Sequence, residues 1–136
     1  MQKRRDFIKT TLIVAAGTAI GISSAASAKT KLKFSGIIYT AADPGKWSKK
    51  IGGHEPKVSV KGKNVTITTN HAMTEKHYIV RHTLVSEKGE VLGEKTFYPS
   101  DEKAVSTHVL PDGHTSKLYA TSFCNKHDLW ITEFSK

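Results

Sequence analysis

Val58-Ser59-Val60-Lys61-Gly62-Lys63-Asn64-Val65-Thr66-Ile67-Thr68 holds two short runs in which β-branched residues alternate with polar ones, split by a glycine-bearing turn. A period of two puts Val58, Val60, Val65 and Ile67 on one face of a pleated pair, and the turn closes that pair as a hairpin. Outward from it the same pattern recurs. Tyr78 to Glu87, Val91 to Tyr98, Ala104 to Leu110, Lys117 to Cys124 and Leu129 to Phe134 read as strands, separated by Glu87-Lys88-Gly89-Glu90, Pro99-Ser100-Asp101 and Pro111-Asp112-Gly113. About seven strands at this spacing predict an all-β fold, an immunoglobulin-like seven-stranded antiparallel β-sandwich. No stretch has sustained helical periodicity, and there is no internal repeat. Between Lys29 and Val58 the pattern loosens: one early strand, then an extended loop through Ala42-Asp43-Pro44-Gly45-Lys46-Trp47 and Gly52-Gly53. Such loops carry sites more often than cores.

The N-terminus has a different character. Lys3, Arg4 and Arg5 precede an apolar run from Thr11 to Ile22, and Ser27-Ala28 closes a stretch of small residues. That is the layout of a secretory signal with an A-x-A cleavage site, and the paired arginines, Phe7 and Lys9 make it a twin-arginine leader over residues 1–28. The apolar run, broken by Gly17 and Gly21, is too short and polar to span a bilayer comfortably, so no stable membrane insertion is expected after cleavage. The domain is then 29–136 and its location periplasmic. The leader's basic residues and Asp6 account for +3 of the formal +9, which leaves +6 on the mature chain. Its lysines are scattered, with no recognition helix or aromatic-basic motif, so nucleic acid is not an expected partner.

Cys124 is the only cysteine, which excludes an internal disulfide. In an exported protein such a thiol is left free, pairs with another chain, or enters a metal site. Three segments concentrate unusual donors: His54-Glu55-Pro56, His71-Ala72-Met73-Thr74-Glu75-Lys76-His77 and Cys124-Asn125-Lys126-His127-Asp128-Leu129-Trp130. Each falls in a loop or at a strand end, where a sandwich can gather them at one rim. Imidazole suits iron, copper, zinc or nickel, and a thiolate adds a soft, electron-rich donor. Zinc prefers four ligands and copper tetragonal or trigonal sets, so five donors with a vacant octahedral position point to redox iron more than to a closed structural site.

The motif Cys124-Asn125-x-His127-x-Leu129-Trp130, with the pair His71 and His77 around Met73-Thr74-Glu75, resembles the iron-binding signature of the superoxide reductases, the neelaredoxin and desulfoferrodoxin family. The resemblance runs from about Trp47 to Phe134. It implies a mononuclear Fe2+/Fe3+ centre with His54, His71, His77 and His127 in a plane, Cys124 as the axial thiolate, and superoxide reduced at the open sixth position. It also implies an external electron donor, rubredoxin-like or a periplasmic cytochrome, because the four-cysteine domain of the two-iron members is absent. Homo-oligomerisation is left open.

The sequence departs from the family at the first histidine. Members usually carry a lysine just before it, often with a glutamate before that, where this chain has Gly52 and Gly53. Lys49 and Lys50 lie close upstream and are the candidates to supply the catalytic positive charge. Asp128 replaces the family's glycine and Ala72 its proline, both milder changes. Trp47, Trp130, Tyr119 and Phe123 read as packing or site-wall residues. His82, His108 and His114 read as surface or supporting histidines. The missing lysine and glutamate sustain one alternative, a non-catalytic exported module of the same fold that binds metal or passes an electron.

Overall fold

The structure, a computed structural model, describes residues 36–136. The expected leader 1–28 and the first residues of the expected domain 29–136 lie outside the described residues. No helix among the described residues is long and apolar enough to cross a membrane.

Two sheets form the sandwich. One has the strand order β1 (Ile38–Tyr39), β8 (Asp128–Phe134), β7 (Leu118–Cys124), β4 (Ile79–Ser86), β5 (Val91–Thr96). The other has β2 (Lys57–Lys61), β3 (Asn64–Thr69), β6 (Ala104–Val109). The hairpin Val58–Thr68 forms as expected, with Val58 opposite Ile67 and Val60 opposite Val65. Seven strands pair antiparallel; the short early strand β1 adds an eighth that runs parallel to β8. The segment expected as an extended loop is instead helical: a 3-10 helix, Gly45–Lys50, runs into a single turn α1, Ile51–His54. Its apolar residues follow no helical period, and Gly52 and Gly53 weaken a helix, so contacts from elsewhere in the fold hold it.

The core is layered along the strands. At one end, Val65, Ile67, Leu84, Leu110, Leu118 and Ala120 pack together; at the other, Ile79, Phe97, Ala104 and Cys124 form a second apolar cluster with Met73 against it. Between them in strand order lies a buried polar layer. His82 reaches Thr69 Oγ1 through Nε2 at 2.8 Å and Ser106 Oγ through Nδ1 at 2.9 Å. Thr69 Oγ1 bonds Ser122 Oγ at 2.7 Å, and Ser106 Oγ bonds His108 Nε2 at 3.0 Å. Thr69 and Ser106 belong to one sheet and His82 and Ser122 to the other, so hydrogen bonds cross-link the sandwich. They do so two residues before His71 and two before Cys124, which fixes the strand ends that carry the candidate site.

Neither His82 nor His108 is a surface residue. His82 is wholly buried, its ring edge-on to Phe97 at 4.8 Å, and His108 is nearly so. A bulge between Ile79 and Arg81 shifts the alternation of β4, so that Ile79 and His82, three residues apart, both face inward. Gly93 makes room for His108, since a Cβ there would overlap the imidazole ring.

Candidate metal centre

Three elements bring the donors together. His54 ends α1; His71 and His77 lie within the loop between β3 and β4; Cys124 ends β7, and His127 lies in the turn before β8. The ligand atoms of His54, His71, His77, Cys124 and His127 all lie within 4.8 Å of one another. His54 Nε2 to His127 Nδ1, His127 Nδ1 to His77 Nε2, and His77 Nε2 to His71 Nε2 are each 3.0 Å. Cys124 Sγ is 3.2 Å from His77 Nε2, 3.6 Å from His127 Nδ1 and 4.0 Å from His71 Nε2.

These contacts are not all hydrogen bonds. His77 Nε2 faces two nitrogens and a sulfur, yet an imidazole nitrogen carries one proton or one lone pair. A shared cation explains the arrangement: nitrogens about 3.0 Å apart around a square are each about 2.1 Å from its centre, the usual metal–imidazole distance. The outer nitrogens agree. His54 Nδ1 donates to the Lys50 carbonyl at 2.9 Å and His71 Nδ1 to the Ala72 carbonyl, which leaves each Nε2 lone pair facing the cluster.

The electrostatics suit a cation. Burial lowers the pKa of all four imidazoles, His54 to about 4, so they are neutral donors at pH 7. Burial pushes the Cys124 thiol up, against the opposing backbone N–H groups of Lys126 and His127. A nearby positive ion is what allows such a thiol to ionise. Cys124 is 1% exposed, whereas His71, His77 and His127 are half-buried, so the sulfur lies on the inner side of the imidazoles. The donor set therefore fits a redox-active transition metal with an approach from solvent.

The surroundings fix the donors. Asn125 staples the turn to the neighbouring loop: its Oδ1 accepts from Tyr78 N at 3.0 Å, and its Nδ2 donates to the Lys76 carbonyl at 3.1 Å. Sequence reading missed this role, although Asn125 stands inside the signature motif. Trp130, fully buried, donates from Nε1 to the His127 carbonyl at 2.9 Å. Lys49 and Lys50 lie exposed at the end of the 3-10 helix. The Lys50 charge lowers the pKa of His71, His77 and His127, while the charges acting on Cys124 are those of Asp128 and Lys126.

The sequence profile of the desulfoferrodoxin family matches residues 46–133, a span that contains every one of these donors. The chain belongs to the desulfoferrodoxin family. No curated protein matches the sequence. Solved structures agree with the family. The superoxide reductase (neelaredoxin) of Ignicoccus hospitalis is 27% identical with a TM-score of 0.63, covering 76% of this chain and 97% of that one. The one-iron superoxide reductase of Giardia intestinalis is 26% identical with a TM-score of 0.57, covering 62% and 98%. A superoxide reductase solved in its oxidised state is 25% identical with a TM-score of 0.55, covering 74% and 97%.

Proposed function

We propose that this chain is an exported one-iron superoxide reductase, which converts superoxide, with one electron and two protons, to hydrogen peroxide. The convergence of four neutral imidazole nitrogens and one buried thiol at the positions of the family's motif carries this reading. Iron held by His54, His71, His77, His127 and Cys124 would supply the electron by cycling between its two oxidation states. An external donor, rubredoxin-like or a periplasmic cytochrome, restores that electron, since Cys124 is the only cysteine. The twin-arginine leader of residues 1–28 supports a periplasmic location.

The chain's own residues divide the work. His54 and His71, tied through Nδ1 to backbone carbonyls, hold their lone pairs in place without rearrangement. Cys124 presents sulfur from the buried side, where backbone N–H groups of Lys126 and His127 temper its charge. Lys50 takes the part of the missing lysine before the first histidine: its ammonium draws an anion toward the imidazoles. The charge of Lys50, rather than that of its neighbour Lys49, is among the main ones that lower the pKa of His71, His77 and His127. Lys50→Ala is expected to slow the second-order reaction with superoxide by about tenfold and to flatten its salt dependence, while Lys49→Ala changes it little. Stopped-flow rates at several ionic strengths check this, and an unchanged rate in Lys50→Ala removes that residue from the mechanism.

The function itself is tested by mixing reduced, iron-loaded protein with pulse-generated superoxide. One peroxide per iron with no dioxygen is the expected result. No reaction would leave only a metal-binding or electron-transfer module.

A further inference from the structure

Asp128 stands where the family has glycine, and it is the only non-glycine residue at positive φ among the described residues, with φ of 67°. It closes the tight turn between β7 and β8, pairing with Cys124. A left-handed position in such a turn favours glycine, and a side chain there is strained, though aspartate tolerates it better than most. A carboxylate kept at a strained position beside a ligand has to be read through what it touches.

Its Oδ2 accepts a hydrogen bond from Trp47 Nε1 at 3.0 Å and lies 3.8 Å from Lys46 Nζ, which sits over the Trp47 ring. The indole in turn meets the His127 ring edge-on, 86° between planes and 4.6 Å between centroids. Trp47 belongs to the helical segment 45–54 that carries Lys50 and His54. Apart from the donor–donor contact of His54 with His127, the Trp47–Asp128 bond is the one side-chain hydrogen bond joining that segment to the rest of the domain among the described residues. The segment has little helix propensity of its own, so this tie is placed where a tie is needed.

We propose that Asp128 is a positioning residue: through the Trp47 indole it clamps segment 45–54 onto the β7–β8 turn, and so sets both His54 and the His127 ring before metal arrives. The clamp rests on the metal-site reading of the five donors, but it acts in the metal-free chain and is measurable there. Asp128 touches no donor atom. Glycine at this position relieves the backbone and releases the clamp; asparagine keeps a carbonyl oxygen able to accept from the indole.

The test uses the full chain and the variants Asp128→Gly, Asp128→Asn and Trp47→Phe. In the metal-free protein, the Trp47 indole N–H resonance is expected to be shifted downfield and protected from exchange in wild type and Asp128→Asn, and to lose both features in Asp128→Gly. In cobalt(II) titrations, Asp128→Gly and Trp47→Phe are each expected to weaken binding by about tenfold, the range of groups that orient ligands. The double variant is expected to be no worse than either single one, because both remove the same clamp. Asp128→Asn should bind nearly as wild type. A wild-type indole signal in Asp128→Gly overturns the clamp, as do unchanged cobalt affinity in that variant or multiplicative losses in the double variant. Failure of the wild-type chain to bind cobalt at all would instead sink the metal-site reading, and the indole resonance would still decide the clamp.

Discussion

Cys124→Ser is expected to lose the visible charge-transfer absorption of the oxidised iron protein and to bind ferrous iron about 100-fold more weakly or worse. Altering groups that merely orient ligands costs about 10- to 100-fold, and a lost ligand costs at least as much. Serine keeps the volume of a small side chain, so the cluster of Ile79, Phe97 and Ala104 around position 124 survives and the fold is retained. The pH dependence separates ligation from a packing effect. All four imidazoles are neutral above pH 7, because burial holds their pKa below the ordinary 6.5. The buried thiol is the group still protonated there, its pKa raised by the same desolvation. Each metal ion bound between about pH 7 and 8.5 therefore displaces one proton, and log affinity rises by about one per pH unit. In Cys124→Ser that slope vanishes. Anaerobic iron titrations at three pH values measure both effects, and a variant that retains the band or the slope would remove Cys124 from the site.

The second large effect falls on stability. His82→Ala removes a wholly buried ring and leaves the hydroxyls of Thr69 and Ser106 without it. A cavity plus two weakened polar partners costs about 3 to 4 kcal/mol, or roughly 15 °C in Tm for a domain of this size. The same residue makes the fold acid-sensitive. Burial lowers its folded pKa to about 3 from an ordinary 6.5, with His108 and Lys95 adding to the shift. The unfolded chain thus binds the proton first as pH falls. The stability due to neutral His82 is complete above about pH 6.5 and is lost progressively toward pH 3, up to about 4 kcal/mol. His54 and the other site imidazoles shift the same way, so only the difference between wild type and His82→Ala isolates His82. Urea midpoints of the metal-free protein from pH 7 to 4 give that difference. Parallel pH dependences in the two proteins would contradict it.

The strands were legible because a half-buried strand writes its burial into every second residue. Val58, Val60, Val65 and Ile67 announced the first hairpin, and the later strands end within about two residues of where alternation and turn residues placed them. The donors were legible through a motif rather than a period: Cys124-Asn125-x-His127 and the His71–His77 pair keep their spacing because one loop and one turn have to point them at a common centre. What failed to show was held by distant contacts. The helical turns at 45–54 have no periodic apolar face, and the tie to Asp128 spans 81 residues. His82 read only as a surface or supporting histidine, because its partners Thr69 and Ser106 stand on the other sheet and the bulge at Ile79/Arg81, which turns Ile79 to the same face, is not written in the alternation. Asp128 read as a mild exchange for glycine, since neither its positive φ nor its bond to Trp47 is written locally.

X-ray absorption at the iron edge of the fully loaded protein tests the central claim most directly. One iron per chain, with four nitrogen scatterers near about 2.1 Å and one sulfur near about 2.3 Å, is the result the donor geometry predicts. A shell of oxygen and nitrogen alone, with no sulfur, would contradict it.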